Sequence, residues 1–257
     1  MFGVVPKVLW ERERVPDTWN RIELAMNILL IEDGRRKILV DTAGGVRWDE
    51  RKQQLYRMET RTPDALLAPA EIRPEQVDIV INTHLHFDHA GGNTVAGPEG
   101  AVAAFPNAEY VVQKGELDSA RSTNERNKAS YRADDFEPLC ADGRLRVLEG
   151  DAFVTENIEV RLAPGHTPFH QVPVVRSAGH SLAFLGDLVP TSSHLPYPYS
   201  MAYDVEPMAT LRSKKRLLPE AVREGWTVVF EHDPTTPMGV LMEREGRIAL
   251  RPAAAEV

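Results

Sequence analysis

The sequence predicts an α/β protein, on three observations. Its short, apolar, β-rich runs fall into two groups along the chain, and helical patterns follow both groups. Turn residues (Gly, Pro, Asn, Asp) punctuate the ends of these runs. The 257 residues suffice to bury one large core, so a single domain spanning 1–257 is expected. The pattern suggests two sheets packed face to face with helices outside, and specifies nothing finer than α/β.

In order, 24–31 and 37–40 read as a hairpin around Glu32-Asp33-Gly34. The second strand ends at the tight turn Asp41-Thr42-Ala43-Gly44-Gly45. Residues 49–71 read as helix, broken at Thr62-Pro63 where a new helix can start. Residues 77–82 and 108–113 are strands. The polar stretch 116–132 is expected to be helical, part of an insertion at about 115–140. A second set of strands covers 144–149, 158–163, 172–176 and 181–185. The Pro-, Tyr- and Ser-rich segment at about 190–205 reads as a long loop, the kind that serves as a substrate lid or wall. A helix over 207–224 shows Leu211 and Leu218 on one stripe, restarts at Pro219 and closes at Gly225, and 226–230 is the last core strand.

Bulk properties remove several function classes. With 30 Lys and Arg against 38 Asp and Glu, the net charge of -8 argues against a nucleic-acid surface, which needs clustered cations. No apolar run approaches the roughly 20 residues that span a bilayer, and the first ten residues lack a secretory pattern. The lone Cys140 has no internal disulfide partner. A reducing, cytoplasmic setting is therefore expected, with Cys140 a small packed residue.

The most informative stretch is His84-Leu85-His86-Phe87-Asp88-His89, directly after the apolar run 77–82. A buried strand ending in three imidazoles and a carboxylate delivers several metal ligands to one point. Three further candidates follow apolar strands: His166 in Ala-Pro-Gly-His-Thr-Pro, Asp187 after Leu-Ala-Phe-Leu-Gly, and His232 after Val-Val-Phe-Glu. Singly, such histidines are more often structural; together with the cluster they read as one ligand set.

This motif set resembles the metallo-β-lactamase superfamily across nearly the whole chain. The resemblance implies an αβ/βα four-layer sandwich with two mixed β-sheets and a dinuclear site. Carried over position by position, it implies that His84, His86 and His166 bind one metal. Asp88, His89 and His232 would bind the second, Asp187 would bridge them, and Asp41 would orient ligating histidines. The cofactors implied are two divalent ions, zinc first, with iron, cobalt or manganese as alternatives. An Asp rather than a Cys at 187 is similar to lactonases, glyoxalase II and phosphodiesterases, not to the main zinc β-lactam hydrolases. Residues 1–7, 84–93, 186–191 with His194, and Met201-Ala202-Tyr203-Asp204 resemble the quorum-quenching N-acyl-homoserine lactonases. Two departures stand out. Pro190 replaces a substrate-holding Tyr of that branch, so His194, Tyr197, Tyr199 or Tyr203 becomes its candidate substitute. Met1-Phe2-Gly3 resembles an internal motif of the branch, implying a natural short form or a misassigned start.

The implied reaction is the opening of a small lactone or ester by a hydroxide shared between the metals, with Asp88 as catalytic proton carrier. No nucleic-acid or membrane partner is expected, and a homodimer is compatible with the resemblance. Phe87 is a candidate substrate contact; Phe2, Trp10, Trp19, Met26 and the 197–203 loop are candidate walls of an apolar acyl groove. His170 and His180 read as structural, and Gly91-Gly92 as a place where backbone passes close to the ligands. A glyoxalase II-type thioesterase needs basic residues for glutathione. Lys214-Lys215-Arg216 is the sole tight basic run late in the chain, and it reads as solvated helix surface. A phosphodiesterase and a degenerate, metal-dependent binding effector are the remaining alternatives.

Overall fold

In the computed structural model, residues 1–252 are described. The chain separates into two compact units, one of residues 28–149 and one of residues 1–27 with those from 150 onward. A four-residue helix, α1 (Lys7–Trp10), lies in the opening segment.

In the 28–149 unit, β1 (Leu29–Glu32) and β2 (Lys37–Val40) pair around a turn where Asp33 Oδ1 accepts from the amides of Arg35 and Arg36. Asp49 caps α2 (Glu50–Tyr56) and Thr62 caps α3 (Pro63–Leu67), each accepting a first-turn amide. Then follow β3 (Ile79–Ile81), α4 (Phe87–Ala90), the hairpin β4 (Thr94–Gly97) and β5 (Gly100–Ala103), β6 (Glu109–Gln113), α5 (Lys114–Arg121), α6 (Glu137–Ala141) and β7 (Leu145–Leu148). The main sheet runs β1-β2-β3-β6-β7, antiparallel at β1 and parallel elsewhere. Ile79, Val80 and Ile81 are all buried, as an inner parallel strand requires. Leu39, Val80, Phe105 and Tyr110 share one core. Val40 pairs with Ile81, so β2 and β3 end level and place Asp41 beside the residues after Ile81. In open α/β sheets, ligands gather at such carboxyl ends.

The other unit holds β8 (Ala152–Thr155), β9 (Ile158–Leu162), β10 (Gln171–Ser177), β11 (His180–Phe184), α7 (Pro207–Arg223), β12 (Thr227–Val229), β13 (Met238–Arg244) and β14 (Arg247–Pro252). Its sheet runs β14-β13-β12-β11-β10-β9-β8, with β11 and β12 parallel and the other pairs antiparallel. Leu217, Leu218 and Ala221 of α7 join Val172, Val174, Trp226 and Phe230 in its core. Phe184 pairs with Val229, so β11 and β12 end level; Gln171 pairs with Leu162, bringing the β9–β10 connection to the same sheet edge. Asp187, His232 and His166 are the residues just past those ends.

Four sequence expectations need correction. Helix in the 116–132 stretch stops at Arg121, because Asn124 and Asn127 turn the chain with their own side chains. The 144–149 strand, assigned to the second set, pairs in parallel with β6 of the first sheet, a choice made by tertiary pairing. The 226–230 strand is not the last: β13 and β14 follow as a hairpin around Glu245-Gly246, both at positive φ. The 207–224 helix does not restart at Pro219. It runs through, the exposed proline forfeiting one backbone bond while Leu217 and Leu218 keep the helix docked.

Candidate functional site

Within the 28–149 unit, one end of the parallel strands holds an imidazole cluster. The rings of His84 and His86 lie 4.5 Å apart, and those of His84 and His89 3.9 Å apart. All three are buried. They converge because His84 and His86 follow β3, His86 in extended backbone, while His89 lies in the short α4, folding the hexapeptide back on itself. Asp41, fully buried, organises the cluster: Oδ1 accepts from the Thr83 amide (2.7 Å), and Oδ2 accepts from Thr83 Oγ1 (2.7 Å) and sits 3.0 Å from His89 Nδ1. Thr83 Oγ1 is in turn 3.1 Å from His84 Nδ1. Asp88 is partly exposed, with Oδ1 4.0 Å from His89 Nε2.

Glycine makes this arrangement passable. A Cβ on Gly91 would stand 2.5 Å from the Gly44 carbonyl oxygen, so the 41–45 turn and the 91–92 segment could not cross with side chains present. Glu116, fully buried on α5, accepts from the Leu85 amide (3.1 Å) and the Tyr131 hydroxyl (2.9 Å), while the Tyr131 ring packs edge-on against His86 at 4.7 Å. Phe87 meets Trp48 (5.0 Å) and Tyr56 (5.4 Å), making an aromatic wall beside the cluster. Trp48 is fixed by its indole bond to the Gly44 carbonyl and by Arg132 over its face.

Within the other unit, a carboxylate sits between two imidazoles. Asp187 Oδ2 is 3.0 Å from His166 Nε2, and Oδ1 is 3.2 Å from His232 Nε2. The far nitrogens are held as well: His166 Nδ1 is 3.1 Å from Asp204 Oδ1, and His232 Nδ1 is 2.8 Å from the Ala25 carbonyl. Asp204 is itself fixed by Thr210 Oγ1 (2.9 Å), and His170 Nε2 accepts from the Asp187 amide (3.1 Å). Burial favours neutral His166, but Asp187 and Asp204 outweigh it and raise its pKa to about 10. A bound cation would compete with that proton.

The donor set fits divalent ions. His84, His89, His166 and His232 each have Nδ1 engaged by a hydroxyl, a carboxylate or a carbonyl. This fixes the ring and, with the proton on Nδ1, presents Nε2 as a lone pair, as metal-binding histidines are typically held.

The remaining candidates differ in their surroundings. His194 is buried, its Nδ1 on Thr191 Oγ1 (2.8 Å) and its ring stacked on Phe2 at 4.5 Å, and burial drives its pKa down to about 3. Tyr199 meets Phe2 edge-on, Tyr197 packs on the core beside Lys215, and Tyr203 is 60% exposed. Trp19 stands out in solvent with Arg21 over its ring, apart from the Phe2–Trp10 stack. His180 is exposed. The basic run does not form one solvated surface: Lys214 is fully buried, Lys215 lies over Tyr197, and Arg216 bonds the Leu162 carbonyl. Sequence reading missed Thr83, Glu116, Tyr131, Trp48 and Tyr56. Asp204 stood out only as part of a motif, with no role. Each of these acts through a partner distant in sequence, and Thr83, adjacent to the cluster, offered the one local signal.

The description of the metallo-beta-lactamase superfamily matches residues 22–232 of the chain. The chain belongs to the metallo-beta-lactamase superfamily. An N-acyl homoserine lactonase of Bacillus cereus is 30% identical over 63% of this chain and 58% of its own length. The chain thus spans about 58% of the length of the lactonases it matches. Among solved structures, a probable metal-dependent hydrolase from Staphylococcus aureus is similar over 98% of this chain and 91% of that one, at 28% identity and TM-score 0.89. An N-acyl homoserine lactone hydrolase carrying N-hexanoyl-L-homoserine at its catalytic metal centre is similar over 82% of both chains, at 25% identity and TM-score 0.64. The superfamily fold and its two mixed sheets agree with the α/β expectation. No helix among the described residues is long and apolar enough to cross a membrane.

Proposed function

We propose that the chain is a dinuclear metal-dependent hydrolase that opens N-acyl-homoserine lactones or closely related lactones. The observation that carries this reading is Asp187, whose two oxygens face two different imidazoles at 3.0 and 3.2 Å. That is the placement a bridging carboxylate needs, and a Cys there would not supply it. His84, His86 and His166 are assigned to one ion, Asp88, His89 and His232 to the other, and Asp41 orients His89. Residues 1–257 act as one catalytic domain in this reading, in the cytoplasm as the lone Cys140 suggests.

When bound, two divalent ions would supply a water whose pKa falls to about 7 and a Lewis acid for the carbonyl oxygen, with zinc first among the ions. Asp88, partly exposed beside His89, takes the proton of the attacking water and returns it to the ring oxygen as the acyl–oxygen bond breaks. Lactone and water thus yield one hydroxy acid. Phe87, with Trp48 and Tyr56 behind it, presents an apolar face for the acyl substituent. The loop at about 190–205 forms a wall of the site, and Tyr199 is the tyrosine in it best supported by packing. The thioesterase alternative loses its basic patch, because the Lys214 ammonium is buried against carbonyls.

The test is a panel of lactones, thioesters and phosphodiesters offered to protein loaded with zinc, cobalt or manganese. Ring opening lost on chelation and restored by metal is expected. Protein with two ions per chain that opens no lactone would defeat the reading.

A further inference from the structure

Lys214 is a buried charge that the proposed chemistry does not use. It sits on α7 at 0% exposure, and its ammonium donates to the carbonyls of His194 (2.6 Å), Pro196 (2.7 Å) and Tyr199 (3.0 Å). An ammonium has three N–H donors and no acceptor, so three carbonyls satisfy it fully. That satisfaction is what allows a cation to be buried at all.

The segment it holds is tied at both ends to candidate ligands. Near the start, the Pro190 carbonyl accepts from the His232 amide (2.9 Å); at the end, the Val205 amide donates to the His166 carbonyl (3.1 Å). Between them, residues 191–204 form no strand and no helix longer than the three-residue turn Ser192–His194. Their backbone-to-backbone bonds are short-range, such as His194 to Thr191 and Tyr199 to Pro196, while the Ser192 amide donates to Asp233 Oδ2 (2.9 Å) near the loop's start. Lys214 is therefore a long-range tether at the middle of the loop. It reaches the loop from a helix anchored near His166: Ser213 Oγ donates to the Pro164 carbonyl (2.7 Å), and Thr210 to Asp204. Asp204 favours the charge of the ammonium, and His194, on which that charge acts, is held neutral chiefly by burial.

We infer that Lys214 is a positioning residue, its ammonium fixing residues 194–199 and through them the wall that the loop presents to the substrate. The consequence for substrate rests on the lactonase reading; the tether itself does not.

The experiment compares wild type with Lys214→Met, which keeps the stem and removes the donors. Amide exchange is read across 192–201, along with metal content and steady-state kinetics on the best lactone of the panel. Exchange in the loop is expected to accelerate about tenfold or more while the sheets keep their protection. KM is expected to rise about 10- to 100-fold with kcat and metal content little changed, since a small misplacement of a positioning element is costly. Unchanged exchange overturns the tether. Faster exchange with unchanged KM, even beside a lowered Tm, overturns its role in substrate binding and leaves Lys214 merely structural. If wild type opens no lactone, the functional reading fails alone and exchange still decides the tether. Should Lys214→Met not fold, Lys214→Gln, which retains two donors, is read the same way.

Discussion

The two units solve the same problem, holding imidazoles at a sheet edge, in opposite ways. In residues 28–149 the ligand types are crowded into a hexapeptide after one strand, and Asp41, one strand over, steadies them with Thr83. In the other unit His166, Asp187 and His232 come from three separate strand ends, and their supports come from further away still. Asp204 arrives on a loop, and the Ala25 carbonyl on the opening segment. The first arrangement depends on local chain geometry plus one neighbour; the second depends on the whole sheet register. Damage to the second should therefore spread, while damage to the first should stay local.

The largest expected effect is at the dispersed group. Asp187→Ala is expected to abolish lactone opening and to lower bound metal from about two ions per chain, measured by elemental analysis beside turnover. An active, fully loaded variant would remove the distinction between Asp187 and an ordinary buried acid.

Next come the two orienting carboxylates. Asp41→Ala and Asp204→Ala are each expected to cost about 10- to 100-fold in metal affinity or activity. Chelator competition gives the affinity, and amide exchange the reach of the change. Loss of protection confined to 82–90 for Asp41, but extending through 190–210 for Asp204, sharpens the comparison; the reverse pattern breaks it.

A smaller effect concerns pH. Burial lowers the Lys214 pKa from its ordinary 10.5 to about 7 in the folded protein, with Asp204 opposing. Between those values the unfolded chain binds more protons than the folded one, so stability rises with pH across that window. Denaturation in urea from pH 7 to 10 is expected to show this rise in wild type and to lose it in Lys214→Met. The smallest effect is Cys140→Ser. The thiol is half-buried near Arg121 and Glu137, at the margin of the apolar core of Leu85, Leu117 and Phe136, and burial raises its pKa. Activity should be unchanged and stability within about 0.5 kcal/mol, read as a Tm shift below about 2 °C.

Much of this contrast was legible beforehand, but unevenly. The 84–89 cluster announces itself because its residues are consecutive and follow an all-apolar strand. His166, Asp187 and His232 were legible because each lies three or four residues past the end of a strand, at Leu162, Phe184 and Val229. Helix starts at Pro63 and Pro207 carry local chemistry and were placed correctly. The partner of the 144–149 strand was not legible, since nothing in Leu145–Leu148 specifies β6 over β8. Nor was the burial of Lys214, because a Lys-Lys-Arg run on an amphipathic helix ordinarily faces water, and only three carbonyls from a distant loop reverse that.

Sequence by itself determined the kinds of group available and their attachment to strand ends, because residue type and strand periodicity are local properties. Tertiary structure decided which nitrogen of each ring is held, which acid faces two histidines, and which lysine lies inside. Those depend on strand register and loop path, where one-residue shifts move every side chain and no local preference selects among them.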